Sequence, residues 1–137
     1  MSTPVPLTFA AAALLGVSVP ALAETLPWTP PAGVVQVSPC VPKMDQHWAD
    51  PKTIPLGPYY NVHDGKLIAI EYAIAQEDFA AGKNYLDLPL TYEGEPLVLG
   101  HFDVGFVPHG HKGFEVPHYD IHLYLISEEE ENAITCK

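Results

Sequence analysis

The stretch FEVPHYDIHLYLI, Phe114 to Ile126, limits the fold more than any other part of the chain. It alternates with period two, so Tyr119, Ile121, Leu123 and Leu125 share one face of a strand. The other face carries His118, Asp120, His122 and Tyr124. A helix starting at Pro117 competes with this reading, because proline is welcome at the first helical position. It would set His118 and His122 one turn apart as a chelating pair. It would also ring the helix with Tyr119, Ile121, Leu123, Tyr124, Leu125 and Ile126 and leave it no polar side. The strand is the better reading, and it constrains the chemistry. Along a strand, residues i and i+4 stand ~13 Å apart and residues i and i+2 ~6.6 Å apart. His118 and His122 therefore cannot share one ion unaided, and other strands must supply ligands.

The remaining chain is also strand-like after Pro58. PYYNVHDGKLIAIEYAIA reads as a hairpin about Asp64-Gly65, a strong turn signal. QEDFAAGKN forms one helical turn ended by Gly82. NYLDLPLTYEGEPLVLGHFDVGFVP gives a second hairpin about Glu93-Gly94, and PHGHKG is a loop. Thr25 to Pro58 is rich in proline, which removes ladder donors and interrupts helices. Only GVVQV, Gly33 to Val37, looks like a short strand there. The rest is expected to wrap over the core, pinned by Cys40, Trp28 and Trp48. The fold class is mainly β: a small antiparallel barrel or sandwich with at most one short helix. The proline-rich segment, residues 24–57, and the β core, residues 58–137, form one domain.

Residues 1–23 read as a secretory leader. PLTFAAAALLGVSVPALA is apolar and uncharged and ends in the small-x-small signal Ala21-Leu22-Ala23 before Glu24. No Lys or Arg precedes it, which is unusual. The run is short for a membrane span, and Pro20 breaks it. The expected product is a periplasmic or secreted domain of a little over a hundred residues. A core that small gains from a staple. The two cysteines, Cys40 and Cys136, lie near opposite ends and are expected to form a disulfide in an oxidising compartment. The formal charge of −11 repels nucleic acid and anionic lipid and suits a protein that handles cations. SEEEEN, Ser127 to Asn132, reads as a solvated end.

KLIAIEYAIA, Lys66 to Ala75, is apolar on both faces except at Lys66 and Glu71. Glu71 shares a face with Leu67, Ala69 and Ala73, so its carboxylate is expected to be enclosed and to need a partner. Histidine or a metal ion would meet that need. His47 stands beside Trp48 in CVPKMDQHWADP, read as a loop held by the disulfide. The expected metal ligands are His47, Glu71, His118 and His122, with Asp120 and Tyr124 supporting them from behind. That donor set suits zinc, iron or copper. A weaker alternative is His109, His111 and Glu115, whose spacing is similar to the first metal motif of cupins, although the downstream glycine of that motif is absent. A barrel lined by Tyr59, Tyr72 and Phe102 and holding a small molecule is a third possibility. No nucleophile elbow, phosphate loop or dinucleotide fingerprint is present to name a reaction. Homo-oligomerisation is open, and no stable membrane insertion is expected after cleavage.

Three blocks, PCVPKMDQHWADP, GPYYNVHDGKLIAIEY and VPHYDIHLYLI, together resemble a family of small exported bacterial domains of unknown function. Some of its members are linked to the extracytoplasmic-stress (sigma-E) regulon. Family members usually show a Met-Gly-x-His-Trp block, where this chain has Met44-Asp45-Gln46-His47-Trp48. The resemblance implies a compact, strand-rich domain and no established activity. Its blocks contain His47, Glu71, His118, Asp120 and His122. It also implies the main alternative: a non-catalytic envelope-stress or binding module in which these residues serve structure alone.

Overall fold

The Asp64-Gly65 turn reverses the chain as expected and joins β4 (Tyr59–His63) to β5 (Lys66–Ala75). β5 is the longest strand, lies inside the sheet and is buried on both faces. The computed structural model describes residues 26–136. The leader expected over residues 1–23 lies outside them. The other elements are β1 (Leu26–Pro27), β2 (Val35–Val41), β3 (Asp45–Ala49), α1 (Gln76–Ala80), β6 (Thr91–Tyr92), β7 (Glu95–Pro96), β8 (His101–Val107), β9 (His118–Tyr124) and α2 (Glu128–Ala133). Seven strands form one antiparallel sheet in the order β2-β3-β4-β5-β9-β8, with β1 added beside the start of β5. β6 and β7 make a separate two-stranded hairpin about Glu93-Gly94. Among the described residues β2 and β8 do not pair with each other, so the sheet is open and not a closed barrel.

Two expectations need correction. The proline-rich segment contributes two full strands, β2 and β3, and not only a short one. Pro39 is tolerated because β2 is an edge strand whose register shifts on both sides of Ser38. Bulges and edges are where a strand can accept a residue without an N–H. His47 is consequently a strand residue and not a loop residue. The acidic run is exposed over residues 127–130, as expected, but it is not irregular. It forms a second helix, α2, with a capping box between Ser127 and Glu130, and it buries Glu131.

The register writes rows across the sheet. Trp48, Tyr60, Ile70, Leu123 and Phe102 lie in one row on one face. Trp28 covers this face, with ring centroids 5.9 Å from Trp48, 5.2 Å from Tyr60 and 5.6 Å from Tyr92. The Tyr92 hydroxyl accepts from the Thr29 amide, which ties the 82–100 excursion to the N-terminal wrap. The opposite face carries the row Ser38, His47, Asn61, Ala69, Tyr124, His101 and, beside it, the row Tyr59, Glu71, His122, Asp103. Residues of one row point the same way, so these polar groups face one another across strands. The polar side of β9 is the more deeply buried one: His118, Asp120, His122 and Tyr124 are all enclosed, while Tyr119, Ile121 and Leu123 are half-exposed.

The sheet curls over this polar face. Glu131 of α2 reaches His101 of β8 at 3.1 Å and Lys43, in the β2–β3 turn, at 3.7 Å. One carboxylate thus bridges regions from opposite ends of the strand order. The Cys40–Cys136 disulfide fastens the same C-terminal segment to β2. The covalent link is that of an oxidising compartment. No helix among the described residues is long and apolar enough to cross a membrane.

Candidate metal centre

Glu71 is 5% exposed and sits between two imidazoles from different strands. Its Oε2 lies 3.0 Å from Nε2 of His47 and 3.4 Å from Nε2 of His122. The three ligand atoms all fall within 4.8 Å of one another. Alanines explain the space: Ala69 and Ala73 flank Glu71 on its own face of β5. Gly57 brings the 50–58 loop close to this strand; it has φ +100°, and a Cβ there would stand 2.8 Å from the Glu71 carbonyl oxygen. A cavity of about 370 Å³ opens onto the group, lined by His47, Glu71, Tyr59, Met44, Asp120 and the 111–114 loop.

The hydrogen bonds fix the imidazole of His47. The Ser38 hydroxyl donates to the Pro39 carbonyl at 2.9 Å, so its lone pairs face His47. Nδ1 of His47, 2.9 Å away, therefore carries the proton and donates to Ser38. Nε2 is left facing Glu71. This is the arrangement by which an outer partner orients a metal-ligating histidine. Nε2 of His122 is buried, lies near the same carboxylate and makes no aligned hydrogen bond. Asn61 donates to Oε2 of Glu71 from 3.4 Å.

The charges respond to this crowding. Burial would raise the Glu71 carboxyl, but the adjoining His122 and His47 imidazoles hold it well below the usual carboxylate range. Burial would lower His122, and the Glu71 carboxylate outweighs it and raises the imidazole above its ordinary value. Glu71 is thus an anion in a low-dielectric site, and it needs a proton on a neighbouring imidazole or a cation. The Tyr59 hydroxyl is pushed up to about 12, first by burial and then by the charges of Glu71 and Asp120.

The expected ligand set is thus split. His47, Glu71 and His122 come together. His118 does not join them; it meets His111 and Asp120 instead. Strand geometry is the reason, since His118 is four residues from His122 on the same strand. Asp120 belongs to that second group and is not a support behind the first. Tyr124 is buried beside the first group, and its ring stacks on His122 at 5.7 Å and on His101 at 4.6 Å. The cupin-like trio does not assemble. His109 is exposed, Glu115 accepts from the Gly113 amide at 3.1 Å, and neither belongs to a three-ligand group among the described residues. The barrel lined by Tyr59, Tyr72 and Phe102 is also absent. Tyr72 and Phe102 lie on the other face, where Tyr72 donates to the Pro89 carbonyl and Phe102 is exposed.

Sequence reasoning missed Ser38 and Asn61. Asn61 was out of reach: a regular hairpin about Asp64-Gly65 would set it opposite Ile68, and it stands opposite Ala69, on the face of Glu71, only through the register shift between Asn61 and Val62. Ser38 was out of reach because its position depends on the β2 bulges. A third group, His101, Asp103 and Glu131, is also close-set. There Nδ1 of His101 donates to the Ile126 carbonyl at 3.0 Å, and Lys43 offsets the Glu131 charge, so this group ties α2 to the sheet.

No protein-family model matches the chain, and no curated protein matches it. Two solved chains match. One is the crystal structure of a hypothetical protein from Thermus thermophilus, with a TM-score of 0.59 and 21% identity over 73% of this chain and 93% of that one. A likeness at that identity shows the fold alone.

Proposed function

We propose that this is an exported domain that binds a divalent transition-metal ion through His47, Glu71 and His122. One observation carries the reading. Nε2 of each histidine stands 3.0 and 3.4 Å from the same carboxylate oxygen. Bonds of ~2.0–2.1 Å to a tetrahedral ion set its ligand atoms roughly 3.3–3.4 Å apart. The His122 separation equals that edge, the His47 one is a few tenths of an ångström shorter, and all three ligand atoms lie within 4.8 Å. Two imidazoles and a carboxylate suit zinc, iron or copper over calcium or magnesium, which prefer oxygen donors. His47 and Glu71 line the cavity, so the open side of the triad faces it. Three protein ligands with one accessible position is the pattern that supports hydrolytic chemistry at zinc.

The alternative is an envelope-stress or binding module in which the cluster is purely structural. The raised His122 favours it, because an imidazolium there would satisfy Glu71 without an ion. Thermal melting separates the two. On the metal reading, Zn²⁺ at a thousandfold excess over its Kd stabilises the fold by about 4 kcal/mol. EDTA reverses the gain, and His122→Gln removes the triad's share of it. A melting temperature indifferent to Zn²⁺ and to EDTA would establish the structural alternative.

A further inference from the structure

A second group of donors meets at the mouth of the same cavity. His118 is fully buried on β9, and its Nδ1 donates to the Val116 carbonyl at 2.6 Å. Its Nε2 is thereby turned toward the other two groups. That atom lies 3.3 Å from Nε2 of His111 and 3.2 Å from Oδ1 of Asp120. Nδ1 of His111 faces the Lys112 carbonyl at 3.3 Å, and its Nε2 shares a hydrogen bond with Nε2 of His118. Asp120 is 8% exposed, and its Oδ1 has no hydrogen-bond partner despite standing so near His118. Three ligand groups converge within 4.8 Å, with a buried carboxylate oxygen left unpartnered beside two hydrogen-bonded imidazoles. A cation among them would satisfy all three.

The surroundings hold these donors in place. Phe114 stacks on the His118 ring at 4.2 Å. Gly110 has φ +65°, and a Cβ there would lie 2.5 Å from the Phe114 carbonyl oxygen, so only glycine allows the tight turn that carries His111. His111 itself is exposed, which gives an ion a route in.

We propose that His111, His118 and Asp120 form a second site for a divalent transition-metal ion of the zinc class, distinct from the His47–Glu71–His122 triad. Its two short separations match the roughly 3.3–3.4 Å edge of a zinc tetrahedron. Asp120 and His122 are neighbours on one face of β9, so the two sites lie side by side along the cavity wall. The second site does not depend on the first: its ligands are different atoms on different residues.

Equilibrium dialysis of the full chain against Zn²⁺, followed by elemental analysis, tests this. The wild type is expected to hold about two ions, and His111→Ala and His122→Gln about one each. The double variant is expected to hold none. His111 is exposed, so His111→Ala should keep the circular dichroism of the wild type. Asp120→Asn, which keeps the side-chain shape, must also lose an ion. The proposal is overturned if both His111→Ala and Asp120→Asn bind as much Zn²⁺ as the wild type, or if the wild type binds none. Loss of an ion in these two variants but not in His122→Gln would leave the second site standing and remove the triad.

Discussion

Ser38 shows how one hydroxyl decides the chemistry of a residue on the next strand. Its proton goes to Pro39, so it accepts from His47 and turns Nε2 toward Glu71. Ser38→Ala removes no ligand, yet losing such an orienting partner typically costs 10–100-fold in metal affinity. Zn²⁺ titration should show a weakening of about that size, with the ligand residues and the fold unchanged. Undiminished affinity would mean that Ser38 does not orient the imidazole. The enclosure of Glu71 was legible in the sequence, because KLIAIEYAIA leaves no polar face for its carboxylate. Which histidines reach it was not. That depends on β3 being a strand and on the register shift between Asn61 and Val62, and neither has a sequence signature.

At the level of elements, the period-two pattern of Phe114–Ile126 and the Asp64-Gly65 turn yielded β9, β4 and β5 correctly. β2 was hidden by Pro39, whose meaning depends on its being at an edge. α2 was hidden by its charge: four consecutive glutamates look solvated, but in the first turn of a helix they interact favourably with its dipole. The Ser127–Glu130 capping box starts this helix. Ser127→Ala should cost about 1 kcal/mol by urea denaturation. An unchanged midpoint would show that the C-terminal contacts hold α2 without its cap. The Ser127 backbone and side-chain hydrogen bonds also lower the Glu130 carboxyl below its ordinary value of 4.5. A depressed carboxylate adds stability above that ordinary value and loses it as the pH falls through the folded value. The loss from Ser127→Ala should therefore be largest near neutral pH and shrink in acid.

For the molecule as a whole, an open sheet is made to enclose a polar face. α2 bridges the two ends of the strand order through Glu131, and the Cys40–Cys136 bond closes a sequence separation of 96 residues. In the chain-entropy description a loop of that length contributes roughly 4–5 kcal/mol. The Cys40→Ser, Cys136→Ser double variant should lose that order of stability in urea, and a midpoint equal to the wild type's would show that α2 holds the curl by itself. The central claim, however, is that Glu71 gathers His47 and His122 around a cation. It is tested most directly by a crystal structure of the Zn²⁺-soaked protein with anomalous data collected at the zinc edge. The account predicts a peak ~2.0–2.1 Å from Nε2 of His47, Nε2 of His122 and a Glu71 carboxylate oxygen. An empty map at that point, with both imidazoles hydrogen-bonded to the Glu71 carboxylate, would contradict it.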